Sequence, residues 1–181
     1  MPHIHIKPGQ YDHTVTAYIV RTDGDDPKVL LHMHRKLGML LPPGGHVELD
    51  ETPWAAMAHE LTEESGYTLD ELMIMQPPIR IRELSKVVLH PYPIVLQTHD
   101  ITADHFHSDS SYLLLASGES SGVPDDSESL DLRWLSRQEV ADTPGNILYD
   151  NTRQTILMIF DEFLGAWEQI PATSFSTGSP A

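Results

Sequence analysis

From His13 to Val20 apolar and polar positions alternate, with Val15, Ala17 and Ile19 on one side, the period of a half-buried strand. Lys28 to His34 predicts a second strand, and Thr22 to Pro27, with one Gly and three Asp, the turn between them. Pro42-Pro43-Gly44-Gly45 reads as a sharp loop. A helix is expected from about Thr52 to Ser65, with Thr52 as N-cap, Pro53 at the first helical position and Gly66 as terminator. Leu69 to Lys86 fits no single period. Tyr92 to Thr98 and Tyr112 to Ala116 have strand patterning, and the polar stretch Asp100 to Ser111 between them is expected to be a loop. A Ser/Gly/Asp-rich loop (Gly118 to Ser127), a strand (Leu130 to Leu135), a short helix near Arg137 to Ala141 and an amphipathic helix from about Tyr149 to Trp167 follow. These elements predict an α/β fold, a mixed sheet covered by helices on both faces, in a single domain over residues 1–170. Pro171 to Ala181 reads as a linker or disordered tail.

At 181 residues and 40% hydrophobic, the chain can bury a real core. Its apolar runs are short, as at Ile156 to Phe160, far below the roughly 20 residues that span a bilayer. The N-terminus lacks the pattern of a signal peptide, so a cytoplasmic location is expected. With no cysteine, disulfides, thiolate metal sites and a cysteine nucleophile are excluded. The formal net charge of -16 repels nucleic acid duplexes and anionic membranes. A small anionic substrate stays open, because a bound cation inverts the local field.

The arrangement of the acids is more informative than their number. Glu60, Glu63 and Glu64 stand at i, i+3 and i+4 and share one face of the predicted helix, next to the stripe of Trp54, Met57, Ala58 and Leu61. Local rules disfavour this. Glu60 and Glu64 are a like-charge i,i+4 pair, costing about 0.2–0.5 kcal/mol, and Glu63 and Glu64 sit where the helix dipole repels anions. From Leu37 to Ile79 there are eight acidic residues (Glu48, Asp50, Glu51, Glu60, Glu63, Glu64, Asp70, Glu71) and no Lys or Arg. Such consistent violation marks functional sites, and a hard divalent cation would relieve it. A solvated acidic face accounts equally well for the spacing alone.

The segment GHVELDETPWAAMAHELTEESGY resembles the Nudix box: Gly45, Glu51, Glu60, Leu61, Glu63, Glu64 and Gly66 fall in register, and Tyr67 is a loose match at the last hydrophobic. His59 stands where the family has Arg. The preceding Pro43-Gly44-Gly45 and a later hydrophobic strand around Trp134 are also typical of the family. The resemblance implies a Nudix-type α/β/α sandwich, one to three Mg²⁺ or Mn²⁺ ions, and hydrolysis of a nucleoside diphosphate linked to another group. It assigns Glu60, Glu63 and Glu64 as metal ligands, Glu63 or Glu64 as base, and Glu51 and the Gly45 carbonyl as further ligands. The usual Arg orients a box glutamate, so His59 is expected in that role. Dimers are common in the family, so a homodimer is among the expected assemblies.

Outside the box, Glu128 is the first choice for an additional metal-binding acid, against its reading as an ordinary loop residue in the acidic run Asp125 to Asp131. His105-Phe106-His107-Ser108-Asp109 places alternating imidazoles on one face if extended, and imidazole ligates metals. Mg²⁺ prefers oxygen, however, and other His-x-His pairs occur at His3/His5 and His32/His34. The segment is therefore expected to be a solvated loop, with His107 as a candidate substrate contact. Arg35, Arg80 and Arg82 are candidates for substrate phosphates, or for balancing the acidic surface.

Three rivals compete with a hydrolase. A catalytically silent nucleotide-binding module would explain His59, yet it predicts loss of the box glutamates, which are all present. A diphosphate isomerase of related fold relies on an active-site cysteine that this chain lacks. A purely structural acidic domain would show no specific metal binding.

Overall fold

The computed structural model describes residues 4–5 and 7–178. The strands are β1 (Gln10–Arg21), β2 (Lys28–Met33), β3 (Leu40–Leu41), β4 (Gly44–His46), β5 (Leu72–Gln76), β6 (Val95–Thr102), β7 (His105–Ala116), β8 (Leu132–Ser136) and β9 (Glu168–Pro171). They form one mixed sheet in the order β3-β2-β1-β7-β5-β9, with β4 added to β1, β6 to β7 and β8 to β2. The long central pair β1–β7 is parallel, from Gln10 opposite His105 to Arg21 opposite Ala116; the other pairings are antiparallel.

Strand alternation sends the two sides of β1 into two cores. Val15, Ala17 and Ile19 pack with Trp54, Met57 and Leu61 of α1 (Pro53–Ser65). Tyr18 and Val20 pack with Leu148, Ile156 and Ile159 on the opposite face. A short helix, α2 (Arg137–Asp142), is opened by a capping box between Ser136 and Glu139, and α3 (Asp150–Met158) covers the second face. The expected mixed sheet with helices on both sides is therefore present. Among the described residues no helix is long and apolar enough to cross a membrane.

α1 starts and stops where its local chemistry directs. The Thr52 hydroxyl accepts from the Ala55 N–H at 3.1 Å, Pro53 opens the first turn, and Gly66 takes a left-handed φ of 74° while its N–H bonds to Thr62 O.

Several expectations are corrected. Asp100 to Ser111 is not a loop: most of it lies in β6 and β7, and Asp109, Ser110 and Ser111 are buried. These polar residues satisfy one another across the sheet, since Asp109 accepts from Thr14, Thr16 and Ser111. Polarity there reflects a buried network and not solvent. The Pro42 to Gly45 turn continues straight into β4. The ambiguous stretch after Leu69 resolves into a 3-10 turn (Leu69–Glu71), then β5, then an irregular segment from residue 77 to 94. α3 is shorter than its periodicity indicates because a π-helical turn (Ile159–Phe163) interrupts it. The expected tail begins inside β9, its Ala172 is buried in the first core, and Phe175 lies 6.2 Å from the Trp54 ring. Ala172 and Phe175 supply the apolar anchors that the Ser/Thr/Pro composition obscures. Residues 179–181 and His3 lie outside the described residues.

Candidate active site

The box glutamates converge at the junction of α1 and β4. Helical spacing turns Glu60 and Glu64 inward, where they are 2% and 7% exposed, although both are carboxylates. Glu60 reaches β4 because Gly45 has no side chain: a Cβ there would stand 2.0 Å from Glu60 Oε1. That oxygen is buried without a hydrogen-bond partner. Glu64 accepts a hydrogen bond from the Gly44 N–H at 2.8 Å, and its Oε2 is 3.5 Å from His32 Nε2. Gly44 is held just as closely, since a Cβ on it would meet Val15 O at 2.2 Å.

This enclosure sets the electrostatics. Burial first, then the charge of Glu63 and Glu128, pushes Glu60 up to about 7. Glu64 is pushed up to about 8 by burial and by Glu60 and Glu128, with the Gly44 N–H opposing. His32 cannot neutralise them, because burial and His34 lower it to about 4 and keep it uncharged. Among the described residues no Lys or Arg pairs with Glu60, Glu63 or Glu64. Buried carboxylates are ordinarily paired or bound to metal. An orphaned buried oxygen among clustered carboxylates fits a hard divalent cation.

Glu128 joins this group through a well-tied loop. It is half-buried, comes within hydrogen-bonding reach of Glu64, and its charge acts on Glu60. The Asp125 N–H bonds to Glu63 O and the Glu128 N–H to Asp125 O, both at 2.8 Å. Gly66 and Gly122 pass so closely that a Cβ on Gly66 would stand 2.6 Å from Gly122 O. Arg35 closes the other side, its Nη1 donating to the Asp126 and Ser127 carbonyls at 3.0 Å. Arg35, a candidate for substrate phosphates, thus supports the loop that carries Glu128.

His59 lies on the outer side of α1, with Nε2 2.8 Å from Glu63 Oε1 and Nδ1 3.5 Å from Glu51 Oε1. Glu51 therefore stands beside His59. Arg80 and Arg82 both pair with Glu168 of β9, and they line a groove with Ile81, Leu84, Val87 and Phe175. His107 is placed in β7 against the rings of His46, His99 and His105. The expected solvated loop there is a strand, and its histidines belong to a separate cluster.

Reading the sequence missed His32. His32 interrupts the apolar run of β2 at a position that is only 2% exposed, and that interruption was the available signal.

The NUDIX domain family model matches residues 12–154. A nudix hydrolase of Caenorhabditis elegans is 39% identical over 70 residues, which cover 36% of this chain and 19% of that protein. The chain thus matches about a fifth of that relative's length. A solved hydrolase of the NUDIX family from Clostridium perfringens is 30% identical with a TM-score of 0.68, covering 83% of this chain and 96% of that one. The Ap4A hydrolase of C. elegans shares the fold, with a TM-score of 0.62 at 17% identity over 86% of this chain and 99% of its own.

Proposed function

The chain belongs to the NUDIX family, and on that premise we propose that it is a Mg²⁺- or Mn²⁺-dependent hydrolase that cleaves a phosphoanhydride bond in a nucleoside diphosphate linked to another group. One observation carries the metal dependence: Glu60 and Glu64 are buried together beside Glu128 with no Lys or Arg paired to them among the described residues. Glu60, Glu64 and Glu128 would hold the cation. When bound, it supplies the positive charge that polarises phosphoryl oxygens and activates water.

The protein's own groups divide the remaining work. The Gly44 N–H fixes the Glu64 carboxylate, and the absent side chain of Gly45 admits that of Glu60. Glu63, half-buried and held through Oε1 by His59, keeps Oε2 to take the proton of the attacking water. His59 and Arg35 are positioning residues, the first for Glu63 and the second for the Glu128 loop. The substrate is a small nucleotide, in keeping with the Ap4A hydrolase among the fold neighbours and with a net charge of -16 that disfavours nucleic acid duplexes.

The test is a panel of nucleoside triphosphates, sugar nucleotides, ADP-ribose and dinucleoside polyphosphates with Mg²⁺ or Mn²⁺, scored for phosphate, diphosphate and monophosphate release. Turnover should vanish with chelator and return with metal. Glu63→Gln or Glu64→Gln should lower it by roughly two orders of magnitude. Chelator-resistant turnover, or full activity in both variants, would overturn the assignment. Nucleotide binding without turnover would make the chain a silent module.

A further inference from the structure

The side of the sheet away from α1 carries a second group of metal-binding side chains. Gln10 pairs with His105 and Asp12 with His107 in the parallel β1–β7 ladder, Thr14 pairs with His46 of β4, and His99 of β6 pairs with His107. Because side chains alternate, this register sets Asp12, His46, His99, His105 and His107 on one face at one end of the sheet. It is the face of Tyr18 and Val20, opposite the one that packs on α1. Asp12, His46 and His105 are 0%, 8% and 8% exposed.

The separations gather ligand atoms around one point. Asp12 Oδ1 is 2.8 Å from His5 Nδ1, the length of a charge-assisted hydrogen bond. Asp12 Oδ2 is farther from its imidazoles, 3.2 Å from His105 Nε2 and 3.4 Å from His46 Nε2. A tetrahedron with bonds of ~2.0–2.1 Å has edges of ~3.3 Å between its ligand atoms. One ligand atom each from Asp12, His105 and His107 also falls within a mutual 4.8 Å.

We infer that Asp12, His105 and His107 form a second metal site, for a Zn²⁺-class transition-metal ion, distinct from the glutamate site. Two imidazoles and one carboxylate, with water at the open position, suit Zn²⁺, Co²⁺ or Ni²⁺, whereas the carboxylates of α1 suit Mg²⁺ or Mn²⁺. The ion would tie together the starts of the two central strands. His46 packs on the His107 ring at 4.9 Å, so β4, the strand that receives Glu60, abuts the site.

The test uses the whole chain, stripped with chelator and loaded with Zn²⁺ or Co²⁺ alone. Zn K-edge absorption should show imidazole scattering from at least two ligands at ~2.0–2.1 Å. Co²⁺ should give the intense visible bands of a four-coordinate nitrogen/oxygen site. His107→Gln, which keeps volume and hydrogen bonding, and His105→Ala should abolish those bands and remove the Zn²⁺-induced rise in melting temperature. The double variant Glu60→Gln/Glu64→Gln should leave both intact. An oxygen-only coordination sphere in the unaltered chain would overturn the site even if the histidine variants failed to fold. Loss of Co²⁺ bands in the glutamate variant alone would do the same. Neither result bears on phosphoanhydride hydrolysis, which the nucleotide panel reads separately.

Discussion

His59 and Glu63 meet one helical turn apart, with His59 Nε2 2.8 Å from Glu63 Oε1, on the outer side of α1. The i,i+4 spacing makes this contact available in any helix. Its consequence comes from charge. Burial pulls the His59 imidazolium down, but the hydrogen bond to Glu63 and the charges of Glu63, Glu51 and Glu60 outweigh it and raise the group above its ordinary 6.5. The charged form is present below that raised value and is lost as pH rises through it. Arg at this position keeps its charge at any working pH. Deprotonating the attacking water calls for the opposite condition, a higher pH. The native chain should therefore lose activity on the alkaline side, and His59→Arg should restore that limb. A pH–rate profile of both proteins on one substrate checks it, and superimposable curves would mean that His59 orients nothing.

The site's own carboxylates set a second pH dependence. Glu60 is raised from 4.5 to about 7 and Glu64 from 4.5 to about 8, in both cases chiefly by burial. A folded-state value above the unfolded one means that the folded chain keeps protons which the unfolded chain releases. The stability these two groups contribute to the metal-free protein is thus full below the unfolded value and is lost as pH rises towards about 8. A bound cation competes with those protons. Mg²⁺ should accordingly raise the melting temperature far more at about pH 8 than at about pH 5. A metal-free profile that stays flat between those limits would contradict the burial of these two groups.

Local signals and long-range ones were not equally legible in the sequence. The limits of α1 could be read because Thr52, Pro53 and Gly66 act within a turn of where they stand. Spacing set Glu60, Glu63 and Glu64 on one face beside the core stripe but left a solvated face equally open, and the register of the box decided between them. The histidine cluster was hidden because Asp12 and His105 are far apart in the chain, and only the parallel register brings them together. The same cause disguised β7. The Thr14 hydroxyl that satisfies Asp109 lies 95 positions away, so nothing near Asp109 in the chain distinguishes a buried polar strand from a loop.

Gly45 offers a test of the site that leaves every carboxylate in place. A methyl group there would stand 2.0 Å from Glu60 Oε1 and 2.4 Å from Cδ, so Glu60 has to move. The backbone need not, because Gly45 sits in regular β4. Gly45→Ala should raise the Mg²⁺ or Mn²⁺ concentration for half-maximal activity by roughly ten- to a hundredfold, the usual effect of displacing a ligand's support. Circular dichroism should show the fold retained. An unchanged metal titration would remove Glu60 from the ligand set.

Glu128 and Arg35 should behave as one unit. Glu128 reaches Glu64 only because its loop is tied on both sides, by the Asp125 N–H to Glu63 O and by Arg35 Nη1 to the Asp126 and Ser127 carbonyls. If Glu128 holds the cation or moves a proton, Glu128→Gln lowers kcat by roughly a hundredfold with little change in KM. Arg35→Ala frees the same loop without removing the carboxylate, so it should lower kcat less and also spare KM. Because both changes act through one group, the double variant should be no slower than Glu128→Gln alone, a non-additivity that independent roles would not produce. A kinetic double-mutant cycle measures this directly. The alternative has the opposite signature: an Arg35 that grips substrate phosphate would raise KM when removed, and its effect would add to that of Glu128→Gln.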